Sequence, residues 1–210
     1  MARTKKESLA AFNRKEIVTA AAGLFEQHGV EQTTMDDIAK EAGYSKSTLY
    51  VYFKSKEEIY NTIVYEAMLM LKQRMEKSLR SSSEFDAQYA AVCDTLVAFQ
   101  EEYPLYFDSI LGEISFDPTD FEAMPILRTI YEVGEEINDL IAAVLQSGIN
   151  RGILRSDLDL LPTTFSLWGG LCGMIALAGK KAPYIKQRMK LDKHQFLQNG
   201  FQMLLRSLKK

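Results

Sequence analysis

Residues 33–58 constrain this chain more than any other stretch, because they read as two short helices joined by a glycine turn. Ala39 is small where a second helix would cross the first. Gly43, four residues later, fits the left-handed position just past a helix end, which glycine enters without a steric penalty. Leu49 then returns an apolar side chain to the core that holds Ile38. This spacing describes a helix-turn-helix, whose second helix lies in the major groove of DNA; taken alone it also describes an ordinary helical hairpin. The flanks narrow the choice. Ser45 suits the N-cap of the second helix, and Ser55 with Glu58 suits a capping box for a third, so the second helix is confined to about two turns, residues 46–52.

The segment Thr48-Leu49-Tyr50-Val51-Tyr52-Phe53-Lys54-Ser55-Lys56-Glu57-Glu58 resembles the signature of the TetR/AcrR family of transcriptional regulators. Upstream, Ala20-Ala21-Ala22-Gly23-Leu24-Phe25-Glu26-Gln27-His28-Gly29-Val30 resembles the family's first helix and the turn leaving it, so the likeness is continuous over about residues 13–60. Val51-Tyr52 departs from it where family members often carry a histidine. Beyond residue 60 the resemblance is one of architecture only. It implies an all-α chain with an N-terminal three-helix head at 1–56 that binds DNA and a helical bundle at 57–210 for ligand binding and dimerisation.

The first helix is expected to begin at an Asn13 N-cap, with Glu16 at its third position and a staple between Phe12 and Ile17, and to end at Gly29. Thr34 caps the next helix and stands with that helix's free amides, a natural phosphate site. On the recognition helix Lys46 is the long cationic donor for guanine or phosphate, Ser47 and Thr48 are short enough for close approach to base edges, and Ser45 at the cap is counted with them in the DNA-binding set. The resemblance implies that Tyr44, Tyr50 and Tyr52 place hydroxyls on phosphates and that Lys54 or Lys56 reaches the backbone. Packing of the tyrosine rings is the competing reading. Arg3, Lys5 and Lys6 form a basic tail that fits either a groove contact or an ordinary free terminus.

Composition agrees with this division once charge is split. The net charge is −3, but residues 1–56 carry nine Lys/Arg against seven Asp/Glu (+2), and residues 57–210 carry sixteen against twenty-one (−5). So weak a positive balance implies few phosphate contacts per head, and therefore two heads acting together. Five prolines and no alternating β-branched run argue for helices throughout. Helices are expected at about 56–78, 85–101, 104–114, 125–150, 161–180 and 192–208. The apolar run 165–179 is too short to span a bilayer and contains four glycines. With no apolar signal core at the N-terminus, a cytoplasmic protein is expected.

Two helices carry a dimer signal: Gly169, Gly170 and Gly173 would let another backbone approach, and Leu197, Phe201, Leu204, Leu205 and Leu208 form one stripe. Pairing with symmetry mates gives a homodimer and a palindromic operator. Tyr65, Met68, Phe99, Tyr103, Phe107, Ile110, Phe116, Met124, Tyr131, Trp168, Cys172 and Ile175 are candidates to line an effector pocket, with residues 115–122 as its portal; each also fits core packing. A small, largely apolar effector would move the helix at 56–78 and with it the heads.

Catalysis is poorly supplied. His28 and His194 form no spaced metal motif, and neither neighbours a cysteine, so no metal, cofactor or enzyme activity is expected. Cys93 and Cys172 sit in apolar stretches, as buried thiols do. The competing function is a helical adaptor whose head binds another protein.

Overall fold

The computed structural model describes residues 5–112 and 117–210, with side chains from residue 7 onward. It is all-α: ten α-helices are described, and the β contact recorded among these residues is an isolated bridge between Leu154 and Lys209. Arg3 and Phe116 lie outside the described residues, as do the side chains of Lys5 and Lys6. The chain divides into two compact units. The first holds residues 1–67 and 112–131, the second residues 68–111 and 132–210.

In the first unit, α1 (Lys5–His28), α2 (Met35–Glu41) and α3 (Lys46–Tyr52) form the head together with the start of α4 (Lys56–Leu79). Ile17, Ala21, Phe25, Ile38, Leu49, Phe53, Ile59 and Ile63 are all buried, so the head's core draws on α4 well past residue 56. Asn13 is not an N-cap: α1 begins eight residues earlier. The segment upstream of Asn13 is rich in Ala, Leu, Lys and Glu, which propagate a helix readily, and the Asn13 amide serves elsewhere, donating to the Tyr52 hydroxyl at 2.8 Å. Phe12, expected in a staple, is 58% exposed.

The turns follow the sequence closely. Gly29 at φ +81° and Gly43 at φ +73° are both left-handed. After α2, Tyr44 N–H bonds to Ala39 C=O (2.9 Å) and Gly43 N–H to Lys40 C=O (3.2 Å), the double bond pattern of a Schellman cap. The expected box at the start of α4 is displaced by one residue. The Ser55 hydroxyl accepts from Glu58 N–H (3.1 Å), but the Glu58 carboxylate accepts from Lys54 N–H (2.7 Å).

The expected portal at 115–122 is in large part helical. Asp117 caps α7 (Pro118–Ala123), accepting from the Thr119 hydroxyl at 2.7 Å and from Thr119 N–H at 2.8 Å with Pro118 at the first helical position, and these bonds lower the Asp117 pKa. Phe121 is half-buried, against the Tyr131 ring at 6.0 Å and beneath Arg128 at 5.5 Å.

The second unit comprises the rest of α4 with α5 (Phe85–Glu102), α6 (Pro104–Ser109), most of α8 (Ile126–Asn150), α9 (Leu160–Tyr184) and α10 (Lys193–Leu208). α6 stops five residues short of expectation; the Ser109 hydroxyl bonds back to Tyr106 C=O, and Gly112 follows. α9 runs four residues beyond it, through a kink at Lys181 and into a π-turn at Ile185–Met189. Pro183 explains the kink, since it lacks an N–H and its ring displaces the carbonyl four residues back. The C-terminus is tied down: Arg155 N–H bonds to Leu208 C=O (3.0 Å), Lys209 pairs with Asp86 (2.7 Å), and the Tyr89 hydroxyl donates to Phe201 C=O (2.8 Å).

Candidate nucleic-acid interface

α3 turns one face inward and the other to solvent. Leu49 is fully buried, and Phe53 just past the helix end is 1% exposed, whereas Tyr50 is 46% and Val51 78% exposed. Ser45 caps the helix by accepting from Thr48 N–H (3.1 Å), and its hydroxyl lies 2.9 Å from that of Ser47 and 2.8 Å from that of Thr48. Ser45, Lys46, Ser47, Thr48, Tyr50 and Val51 thus share an outward rim, which Lys54 continues. The small hydroxyls are held among themselves on this rim.

Thr34 is committed to a capping box. Its hydroxyl bonds to the Asp37 carboxylate at 2.6 Å, its N–H bonds to the same oxygen at 2.9 Å, and Asp37 N–H returns to the hydroxyl at 3.2 Å. These bonds hold the Asp37 pKa below its usual value. The Thr34 hydroxyl is therefore spent within the cap.

Tyr44 and Tyr52 lie side by side, with ring centroids 6.5 Å apart. Tyr52 accepts from Asn13, so its hydroxyl proton stays free for another acceptor. Lys56, expected to reach the DNA backbone, is turned inward: its ammonium donates to Val30 C=O at 2.6 Å and to Glu31 C=O at 3.3 Å, bracing the loop between α1 and α2.

Arg14, missed in the sequence, and Asn13, read there only as a cap, hold this surface in place. The Arg14 guanidinium sits 4.0 Å over the Phe53 ring, donates to Tyr52 C=O and approaches Glu58 at 3.8 Å. Together with Asn13 it clamps the C-terminal end of α3 to α1. A helix start misplaced at Asn13 hides both, because the periodic register that would aim them at α3 is lost.

Residues 17–63, the core of this head, match the sequence profile of the bacterial regulatory proteins of the tetR family. The chain belongs to the TetR family. Among its relatives, the HTH-type transcriptional regulator YhgD of Bacillus subtilis is 26% identical over 142 residues, spanning 68% of this chain and 72% of the relative. The HTH-type transcriptional repressor KstR2 of Rhodococcus jostii is 26% identical over 150 residues, 70% of each. Among solved structures, the transcriptional regulator FadR from Bacillus subtilis, in complex with stearoyl-CoA, superposes with a TM-score of 0.69 at 20% identity, covering 91% of this chain and 97% of that one. The likeness to that structure is one of fold, and the fold carries the helix-turn-helix head and helical body of a TetR-family regulator.

In the body of this TetR-family protein, the pocket candidates are spread over both units. Tyr65, Met124 and Tyr131 belong to the first, where Met124 Sδ accepts from the Asn61 amide at 3.0 Å. Phe99, Phe107, Cys172 and Ile175 of the second are fully buried, Met68 and Ile110 nearly so, and Trp168 and Tyr103 partly. Met68 packs at Gly134, where an added Cβ would meet its methyl at 3.2 Å. Tyr103 belongs to an aromatic ladder, 5.6 Å from Phe99 and 5.7 Å from Tyr106, with Arg74 5.1 Å over its ring and held by Glu102 at 2.6 Å. None of the eleven described candidates lines either of the two grooves described, one of about 440 Å³ beside Arg155, Thr163, Ser166 and Leu204 and one of about 280 Å³ in the head between α1 and α2.

The dimer candidates separate into two groups. Leu197, Phe201, Leu205 and Leu208 are 9% exposed or less within the single chain and have little surface left for a partner. Leu204 packs on Gly170, where an added Cβ would come within 3.1 Å of it. That stripe is the chain's own core, because α10 needs an apolar face to lie on α9. Gly169 and Gly173 instead have open space over them, in line with the exposed Leu161, Phe165 and Leu177 of α9.

Proposed function

We propose that this TetR-family regulator is a ligand-responsive repressor that binds a palindromic operator as a homodimer and leaves it when a small, largely apolar effector occupies the body. The observation that carries the reading is the uncovered face of α9. Leu161 (65%), Phe165 (56%) and Leu177 (48%) are exposed at four-residue multiples with Gly169 and Gly173 between them. An apolar stripe of this length on a water-facing helix is an interaction surface, and a second copy fits because flat glycine positions let like helices cross closely. The head supplies the matching need: α3 carries one cation, Lys46, too few for tight binding by one subunit.

The operator contacts follow from the rim of α3, with Tyr44, Lys46, Ser47, Thr48, Tyr50 and Lys54 as contributors and the first-turn amides of α2 on a phosphate. Repression is favoured by the name of the Rhodococcus relative, and an apolar effector by the stearoyl-CoA in the FadR structure. The proposed route from effector to head is α4, which contributes residues to both units. A coupling of about 1–3 kcal/mol would weaken operator binding roughly 5–150-fold.

Fluorescence anisotropy against DNA flanking the protein's own gene, with scrambled DNA as control over a salt series, tests the reading. Two chains per duplex, preference over scrambled DNA and a steep salt dependence are expected. Weak binding indifferent to sequence, in duplexes selected from random DNA as well, would overturn it.

A further inference from the structure

Across the helix-turn-helix, Lys46 Nζ stands 2.8 Å from one carboxylate oxygen of Asp36 and 3.0 Å from the other. Asp36 lies in the first turn of α2 and Lys46 in the first turn of α3, so the pair bridges the mouths of both helices that face DNA. Burial does not demand it: the side chains are 63% and 58% exposed. Nor does capping, since Thr34 and Asp37 complete the box of α2 without Asp36. Lys46 is the one Lys or Arg of α3. The head thus carries a carboxylate on the single cation of its recognition helix, where a phosphate would otherwise sit.

We propose that Asp36 is an affinity-setting residue, whose carboxylate competes with DNA phosphate for Lys46 and thereby weakens the head's binding to DNA of any sequence. The inference rests on the DNA-binding reading of the head. On random sequence the gain available to Lys46 is a single screened phosphate contact, which the pair with Asp36 already matches in kind, and the approaching phosphate also meets the Asp36 charge. On the operator, base-edge contacts from the neighbouring rim add to the phosphate contact and draw Lys46 away. The competing contact is made in the free protein, so it lowers affinity for every duplex that takes Lys46 from Asp36. The hydrogen bond to Asp36 raises the Lys46 pKa, which keeps the ammonium charged throughout.

The experiment compares the parent, Asp36→Asn, Lys46→Met and the double variant by anisotropy, on a random-sequence duplex and on a duplex selected from random DNA with the parent. Asp36→Asn should bind the random duplex several-fold more tightly at low salt, with a log K against log salt slope steeper by about 0.9 per head, and should bind the selected duplex more tightly by at least as much. In the Lys46→Met background the same substitution should leave the slope unchanged. An equal gain in that background would mean general repulsion of DNA by Asp36 and would overturn the proposal. So would unchanged random-duplex binding, or weaker binding to the selected duplex alone, which would make Asp36 a direct operator contact. A parent that selects no sequence at all fails before any variant is made and removes the DNA-binding reading with it. Circular dichroism of each variant verifies the fold; Asp36 is exposed and outside the cap, so none is expected to unfold.

Discussion

At the scale of single residues, the head separates side chains that hold the fold from side chains that face out, and the two sets differ from their appearance in the sequence. Lys56 lies in the stretch that resembles the family signature, yet its ammonium is bonded to Val30 and Glu31 carbonyls. Lys56→Met should therefore lower stability by about 1.5–3 kcal/mol, the usual worth of hydrogen bonds from a charged group, while the salt slope of DNA binding stays at the parent value. A slope shallower by one phosphate contact per head, with unchanged melting, would return Lys56 to the interface. Glu102 in the second unit offers a test by pH. Its hydrogen bond from Arg74 holds its pKa at about 2, below the ordinary 4.5. A depressed carboxylate pKa stabilises the fold above 4.5 and loses that contribution as pH falls toward 2. Urea melts of the parent and Glu102→Gln should thus differ at neutral pH, by a modest amount because the pair is exposed, and converge through that acid window. A constant gap down to its lower end would mean that the pair contributes nothing. The thiols behave otherwise: burial pushes Cys93 and Cys172 up to about 12, leaving both protonated and inert near neutrality.

At the scale of elements, the parts legible from sequence were those whose cause is local. α2 and α3 begin and end where Thr34, Gly43 and Ser45 place them, because a cap or a left-handed glycine fixes a boundary without reference to the rest of the chain. Asn13 failed for the converse reason: its N-cap chemistry was outcompeted by helix-forming neighbours and by a partner thirty-nine residues away. α7 was overlooked although Asp117-Pro118 is a start signal, since six residues give no periodicity to read. In the candidate interface, Lys46 and Tyr50 could be read as outward from Leu49 alone, but the inward turn of Lys56 and the Arg14 clamp depend on tertiary placement. The glycines permit a sharp comparison. Gly43 has open space around its missing Cβ but sits at φ +73°, so Gly43→Ala should cost about 1–2 kcal/mol from backbone strain alone, and Gly43→Asn distinctly less. Thermal melts of the two variants check this; equal stability of parent and Gly43→Ala would mean that the turn tolerates a right-handed residue.

At the scale of the whole molecule, the open question is what covers α9. The segment 160–189 is apolar enough in length and composition to cross a membrane, yet only 28% of its most apolar window is buried within the chain. Its inner face, with Leu167, Leu171, Cys172, Ile175 and Ala178, is packed, and Gly170 and Met174 meet Leu204 and Gly200 of α10. Its outer face is a row of apolar residues with glycines at the centre, and exposing that row to water opposes stability at roughly 25 cal/mol for each Å². In the proposed dimer a second copy would remove the cost and bring two heads onto one DNA. The pair Phe165→Glu and Leu177→Glu places charge on the outer face while leaving every buried contact of the single chain intact, so the chain should fold as before. Light scattering should find a dimer for the parent and a monomer for this variant. The monomer should retain random-sequence binding per head but lose operator affinity by far more than twofold, because the second head no longer binds at the high effective concentration that linkage provides. A variant that stays dimeric would place the interface elsewhere, and one that becomes monomeric with full operator affinity would show that a single head suffices.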